Sequence, residues 1–158
     1  MSIVIRNTQR SVSVNMALLS RQIYAIRDII DCNDFDLSIW LTNDKRIRMY
    51  NNETRGIDRP TDVLSLRFIE DVKPGCRPKP IHHDFKNLGD IILSVPYIHR
   101  QLPTLGCSIT KRLPLLCTHG ICHLIGYDHE RDDDFELMQA RENEILQKLA
   151  DRGLYPEF

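Results

Sequence analysis

The sequence predicts an α+β (mixed α/β) fold, a single layered domain over residues 1–158 with a roughly four-stranded mixed sheet packed by helices. Apolar residues recur at helical spacing in some segments and alternate in others, so we expect both element types. These segments do not follow a regular strand–helix–strand alternation, which indicates a layered sheet of about four strands. The length suits one hydrophobic core, and 42% hydrophobic with 27% charged residues is typical of a globular chain.

The first third of the chain predicts two strands and two helices in turn. Residues 2–7 predict a strand, and residues 14–31 carry apolar side chains at the spacing of an amphipathic helix. Residues 35–42 alternate, with Phe35, Leu37, Ile39 and Leu41 expected to point inward. A helix then begins at a cap supplied by Asn43 or Asp44.

The remainder predicts two further strands and three helices. The strands lie in the segments RPTDVLSLRF and LGDIILSV, and residues 71–87 between them, with three prolines, predict a long exposed loop. The helices are a short one from Pro96 to about Leu102, one over residues 109–125 near the C-terminus, and an acidic one over residues 132–150. Pro114 falls in the first turns of the second of these helices, where proline is tolerated.

The first 27 residues hold four arginines, four serines and no acidic residue, a composition typical of a mitochondrial presequence. The alternating segment SIVIRN, followed at once by a helical pattern, favours a first strand instead. Internal or uncleaved organelle targeting stays open. Five cysteines without a CxxC pair, and no secretory signal, predict reduced thiols in an intracellular compartment.

The charge pattern identifies no partner. The net charge is −1, although residues 128–158 carry ten acidic and four basic side chains. Such a stretch is most simply a solvated helix face, so the charge argues neither for nor against nucleic acid. The chain contains no apolar run near the roughly 18 residues that span a bilayer, and we expect no membrane partner.

The segment THGICHLIGYDH, residues 118–129, holds three of the six histidines. His119 and His123 are four residues apart on the predicted helix, so both imidazoles lie on one face, about 40° apart. Gly126 can end this helix and let the chain return His129 toward the same point. Three neutral nitrogen ligands that leave a fourth position for water are typical of a catalytic zinc site. The sequence therefore predicts a Zn2+ ion bound by His119, His123 and His129.

The same spacing matches the metzincin pattern H-E-x-x-H-x-x-G-x-x-H with one departure. Gly120 replaces the glutamate that acts as the general base of these proteases, so peptide hydrolysis by the usual route lacks its base. Near the histidines, Cys117 and Cys122 are interpreted as small buried residues. Asp128 can orient the third ligand, or it is simply solvated or caps a helix N-terminus.

Three motifs in order resemble the YbeY family of ribosomal-RNA maturation factors. They are HGICHLIGYDH, RGIDRPTDVLSL and LGDIILS, and the resemblance covers essentially the whole chain. In one place the sequence departs from the family pattern, since Leu66–Arg67–Phe68 stands where the family has an aromatic residue and a proline after the serine.

The resemblance implies a single-strand-preferring, zinc-dependent endoribonuclease acting in small-subunit rRNA maturation and ribosome quality control. It implies His119, His123 and His129 as zinc ligands and Arg55 as a catalytic arginine, with Arg59 as a competing candidate. Expected partners are single-stranded RNA or rRNA and a small-subunit ribosomal protein or assembly factor, without DNA. The expected location is mitochondrial. The alternatives are an assembly factor with a non-catalytic zinc site and a zincin-like metalloprotease, which Gly120 disfavours.

Overall fold

The computed structural model describes residues 2–156, which form a four-stranded sheet and five helices. The strands are β1 (Ile3–Asn7), β2 (Asp36–Thr42), β3 (Val63–Arg67) and β4 (Asn87–Ser94). The helices are α1 (Met16–Ile29), α2 (Asp44–Arg55), α3 (Val95–Leu105), α4 (Ile109–Leu124) and α5 (Asp132–Asp151). Every predicted element is present within a few residues of its expected bounds.

The sheet has the order β1-β2-β4-β3 and is mixed. β1 and β4 both run parallel to the central strand β2, whereas β3 pairs antiparallel with β4 at the edge. The α+β class with a mixed four-stranded sheet is therefore confirmed. Because Ile3 to Asn7 pair with β2, this segment is the predicted first strand.

The main core lies between one face of the sheet and α1, α3, α4 and α5. Phe35 and the inward residues Leu37, Ile39 and Leu41 of β2 are buried, as their alternation predicted. A smaller cluster of Ile47, Leu64 and Ile92 holds α2 against the other face. Asn43, one of the two predicted caps, starts α2 by accepting a hydrogen bond from the Arg46 N–H at 3.1 Å.

Helix α4 crosses the core and lies very close to the sheet at Gly120. A Cβ atom at this position would be 3.0 Å from the Ser65 Oγ and 3.1 Å from the Ile91 Cδ1. Because the helix lies so close, the Ser65 hydroxyl donates a hydrogen bond of 3.2 Å to the Gly120 carbonyl. The absence of a side chain at position 120 therefore has a packing cause.

Gly126 ends this helix, as predicted. Its φ is +104°, and the N–H groups of Tyr127 and Gly126 donate to the carbonyls of Cys122 and His123 at 3.0 and 3.2 Å. This pair of bonds is the Schellman arrangement of a helix that stops at a glycine. The turn redirects the chain toward α5.

Between β3 and β4 the chain forms no regular element over residues 68–86, in keeping with the predicted exposed loop. The side chains of Ile69 and Val72 in this loop are buried, because both pack in the main core. In the part of the chain that the structure describes, no helix is long and apolar enough to cross a membrane.

Replacing Gly126 by alanine is expected to lower the free energy of unfolding by at least about 3 kcal/mol. The positive φ costs an alanine about 1–2 kcal/mol, and its Cβ would also clash with the Val72 carbonyl oxygen and lie 2.8 Å from the carbonyl carbon. Gly153→Ala is the matched control, because Gly153 has a φ of +71° with open space around it. Urea unfolding measures the free energy of unfolding of both variants. An equal decrease in the two variants would contradict the steric clash at Gly126.

Candidate metal centre

The structure brings the three predicted histidines together at the end of α4. His119 and His123 lie one turn apart on α4, with their Nε2 atoms 3.2 Å from each other. His129 follows the Gly126 turn, and its ring centroid lies 5.5 Å from that of His119 and 5.0 Å from that of His123. One nitrogen from each ring lies within 4.8 Å of the other two, so the cluster can hold a metal ion.

Hydrogen bonds orient two of the rings. The Nδ1 of His123 lies 3.0 Å from the Tyr127 carbonyl oxygen, and the Nδ1 of His119 lies 2.9 Å from the Glu142 carboxylate. Both Nδ1 atoms therefore donate, which leaves the two Nε2 lone pairs directed at each other. Two acceptor nitrogens at this distance repel unless a proton or a cation lies between them. Tetrahedral zinc ligands are about 3.3 Å apart, so the observed spacing fits such an ion.

The protonation state of His123 also suits a ligand. Burial lowers the pKa of His123 to about 4, and the electrostatic interaction with His119 is the second cause. The ring is consequently neutral near pH 7, as metal coordination requires.

The histidines line a cleft of about 620 Å³ between α4, β3 and the end of α2. Arg55 lines the same cleft, whereas Arg59 does not. The Arg55 guanidinium donates to the Asn51 Oδ1 at 3.3 Å, and the Asn51 amide donates to the Arg59 carbonyl at 2.9 Å. Asn51 is only 2% exposed, so it fixes both the arginine and the chain that leads into β3.

Two arginines and two carboxylates belong to the cleft. Arg55 and Arg67 form no ion pair among the described residues, whereas Asp62 approaches Arg112 at 4.0 Å and accepts a hydrogen bond from the Val63 N–H. The fourth group, Glu70, is exposed. With neutral histidines the formal charges cancel, so a bound divalent cation would make the cleft net positive and attractive to an anion.

The other candidate residues lie outside the cluster. Cys117 and Cys122 are fully buried, as predicted, and burial raises the pKa of each thiol to about 12. Asp128 accepts a hydrogen bond from the Glu130 N–H at 2.7 Å, so its carboxylate serves the turn before α5.

A second group of potential ligands occurs among residues 2–156. It consists of His82, His83 and Asp84, all exposed on the loop between β3 and β4. The two carboxylate oxygens of Asp84 lie 3.4 and 3.2 Å from nitrogens of His82 and His83. The group consists of neighbours in the sequence, and no described residue from another element joins it.

Sequence reasoning missed Glu142, Asn51 and Arg67. Glu142 carried a detectable signal, because it lies at helical spacing in the same stripe of α5 as the buried Met138, Ile145 and Leu149. A carboxylate in an apolar stripe needs a partner, and His119 supplies it. Asn51 and Arg67 act through contacts with distant segments that no local pattern in the sequence reveals.

Comparisons with known proteins identify the family of this chain. The family model for "Endoribonuclease YbeY" matches residues 4–150. The human protein of that name is 38% identical, over 96% of this chain and 90% of its own length. The protein of the same name from Sulfurihydrogenibium sp. (strain YO3AOP1) is 35% identical, over 86% of this chain and 93% of its own length.

A solved structure shares the fold. The solution structure of TM1509 from Thermotoga maritima has a TM-score of 0.57 and 21% identity, and the match covers 99% of this chain and 97% of that one. The family match spans the sheet, the histidine cluster and nearly all of α5. The chain belongs to the YbeY family of endoribonucleases, enzymes that hydrolyse RNA within the strand.

Proposed function

We propose that this endoribonuclease is zinc-dependent, prefers single-stranded RNA, and acts in small-subunit rRNA maturation and ribosome quality control. The observation that carries the proposal is the convergence of three histidine nitrogens in a cleft that also holds an unpaired arginine. The rRNA substrate and the single-strand preference are drawn from the family resemblance.

The donor set favours zinc among divalent ions. Imidazole nitrogens suit zinc better than magnesium or calcium, which prefer oxygen ligands. Three protein ligands leave a position open for water, the arrangement of catalytic rather than structural zinc. When bound, zinc supplies Lewis acidity and lowers the pKa of a coordinated water molecule to about 7.

The protein's own residues then position and stabilise the reacting phosphate. Cleavage of a phosphodiester builds negative charge on the non-bridging oxygens, and a preorganised guanidinium stabilises that charge. Arg55 offers two parallel N–H groups that match a phosphate. Its hydrogen bond to the buried Asn51 holds the side chain on the cleft wall before the substrate arrives.

A protease activity is disfavoured by the packing of α4. A glutamate in place of Gly120 would have to displace Ser65 and Ile91, since a Cβ alone already comes within about 3 Å of both. The carboxylate nearest to the ligands, Glu142, is engaged by His119. Neither position provides a free general base for peptide hydrolysis.

A mitochondrial location and a small-subunit ribosomal partner complete the proposal. Residues 3–7 form part of the sheet, so we expect the protein to keep them after import into mitochondria. Sequencing the N-terminus of this protein isolated from mitochondria tests whether these residues are retained.

Purified wild-type protein loaded with zinc should cleave a single-stranded RNA, and His123→Ala should reduce the rate at least about 100-fold, because a metal ligand is lost. His83→Ala, which removes an exposed histidine outside the cleft, is the control. Circular dichroism verifies that both variants fold. Equal cleavage by wild type and His123→Ala would exclude the cluster as the active site, and cleavage by neither would favour a non-catalytic assembly factor.

Arg55→Ala is expected to lower kcat by about 100- to 1,000-fold, the usual effect of removing one group that stabilises the transition state. Zinc content and thermal stability should stay unchanged, because Arg55 is exposed. Arg59→Ala serves as the matched control, since this exposed arginine lies outside the cleft. A larger loss of activity in Arg59→Ala would transfer the catalytic role to Arg59.

Glu142→Ala is expected to weaken zinc binding by about 10- to 100-fold, because the carboxylate orients His119 and raises its basicity. Competition with a chelator of known affinity measures this directly. Glu136→Ala, at an exposed position of the same helix, is the control. Unchanged zinc affinity in Glu142→Ala would show that the contact with His119 only joins the two helices.

A further inference from the structure

Arg67 is the second arginine of the cleft, and the proposed chemistry does not use it. It is the last residue of β3, and its side chain is exposed on the wall that also holds the histidines. The chain therefore carries a second cation beside the proposed reaction site.

Backbone carbonyls hold the Arg67 guanidinium in place. Its Nε and Nη2 both donate to the His123 carbonyl, at 3.0 and 2.6 Å, and its Nη1 donates to the Glu70 carbonyl at 3.5 Å. These bonds occupy three of the five N–H groups of an arginine. Two N–H groups, one on each terminal nitrogen, have no partner among residues 2–156.

The positive charge of Arg67 is not neutralised by a carboxylate. Other arginines in the described part of the chain do form ion pairs with carboxylates, namely Arg48, Arg77, Arg100, Arg112, Arg141 and Arg152. An arginine that is oriented by neutral carbonyls, unpaired and placed in a cleft is suited to bind an anion. Glu70 shares the cleft, but only its backbone carbonyl contacts Arg67.

Arg55 and Arg67 reach the cleft from different elements, Arg55 from the end of α2 and Arg67 from the end of β3. Asn51 connects Arg55 to the carbonyl of residue 59, ahead of β3, whereas Arg67 closes the strand. The five residues of β3 extend over about 14 Å, so the two side chains are anchored at separate places along the cleft. An extended ligand with several anionic groups can engage both arginines.

We infer that Arg67 binds a phosphate of the RNA strand other than the one that is cleaved, so that the strand is held at two points along the cleft. This inference rests on the proposed function, since it takes RNA as the ligand. Arg67 would bind the RNA strand and fix its position along the cleft, whereas Arg55 would act on the reacting phosphate. Loss of Arg67 is then expected to raise KM with little change in kcat.

A purely structural role predicts a different outcome. The guanidinium lies against the carbonyl end of α4, where a cation stabilises a helix. If capping were its whole role, loss of Arg67 would lower the melting temperature and leave the salt dependence of RNA binding unchanged.

The test measures the binding of a fluorescently labelled single-stranded RNA dodecamer by anisotropy, with metal removed, over a series of salt concentrations. We expect Arg67→Gln to weaken binding about tenfold, the effect of one charge-assisted hydrogen bond. The slope of log Kd against log salt should fall by about 0.7, as expected for one lost phosphate contact on a single strand. Arg67→Lys should keep the slope, and Arg59→Gln is the control outside the cleft.

Cleavage of the same RNA by the zinc-loaded proteins is measured in parallel and separates the two proposals. Wild-type binding that depends on Arg67 without any cleavage would overturn the proposed function and support the phosphate contact. Cleavage by wild type with affinity and slope unchanged in Arg67→Gln would overturn the phosphate contact alone. Wild-type protein that neither binds nor cleaves the RNA would overturn both.

Discussion

The close approach of α4 to the sheet is the contact on which the metal centre depends. Glycine at position 120 lets the helix lie against Ser65 and Ile91, and that position fixes where His119 and His123 project. Six residues after Gly120, Gly126 packs against the Val72 backbone and sends the chain back with His129. Both glycines thus hold the ligand-bearing segment against its neighbours, so the geometry of the cluster follows from backbone packing.

The electrostatics of the cleft follow from which charges are already paired. Asp62 lies near Arg112, and Glu142 is held by His119, while Arg55 and Arg67 are oriented by neutral amide and carbonyl oxygens. Neutral acceptors direct a guanidinium without cancelling its charge. The cleft therefore presents two oriented guanidinium groups beside the histidine cluster, an arrangement that suits a polyanionic strand around a metal ion.

The sequence was sufficient for the element types, their order and the three histidines, because these depend on local patterns. Periodicity identified β2 and α1, and the fixed rise of a helix placed His119 beside His123. The contacts that complete the site join distant segments, and periodicity does not encode these. Glu142 lies 23 residues from its partner His119, and Arg67 lies 56 residues from the His123 carbonyl that it contacts. Gly120 was interpreted through chemistry alone, whereas the structure adds a steric reason for the missing side chain.

The contact between His119 and Glu142 makes metal binding depend on the packing of α4 against α5. The two residues belong to different helices, so the native fold has to be in place before the carboxylate can orient the imidazole. An ion bound only by the folded chain raises the free energy of unfolding by about 2.7 kcal/mol when its free concentration is 100 times its Kd. The lifetime of the protein against proteolysis would then follow the supply of that ion, and starvation for the metal would reduce the amount of enzyme as well as its activity.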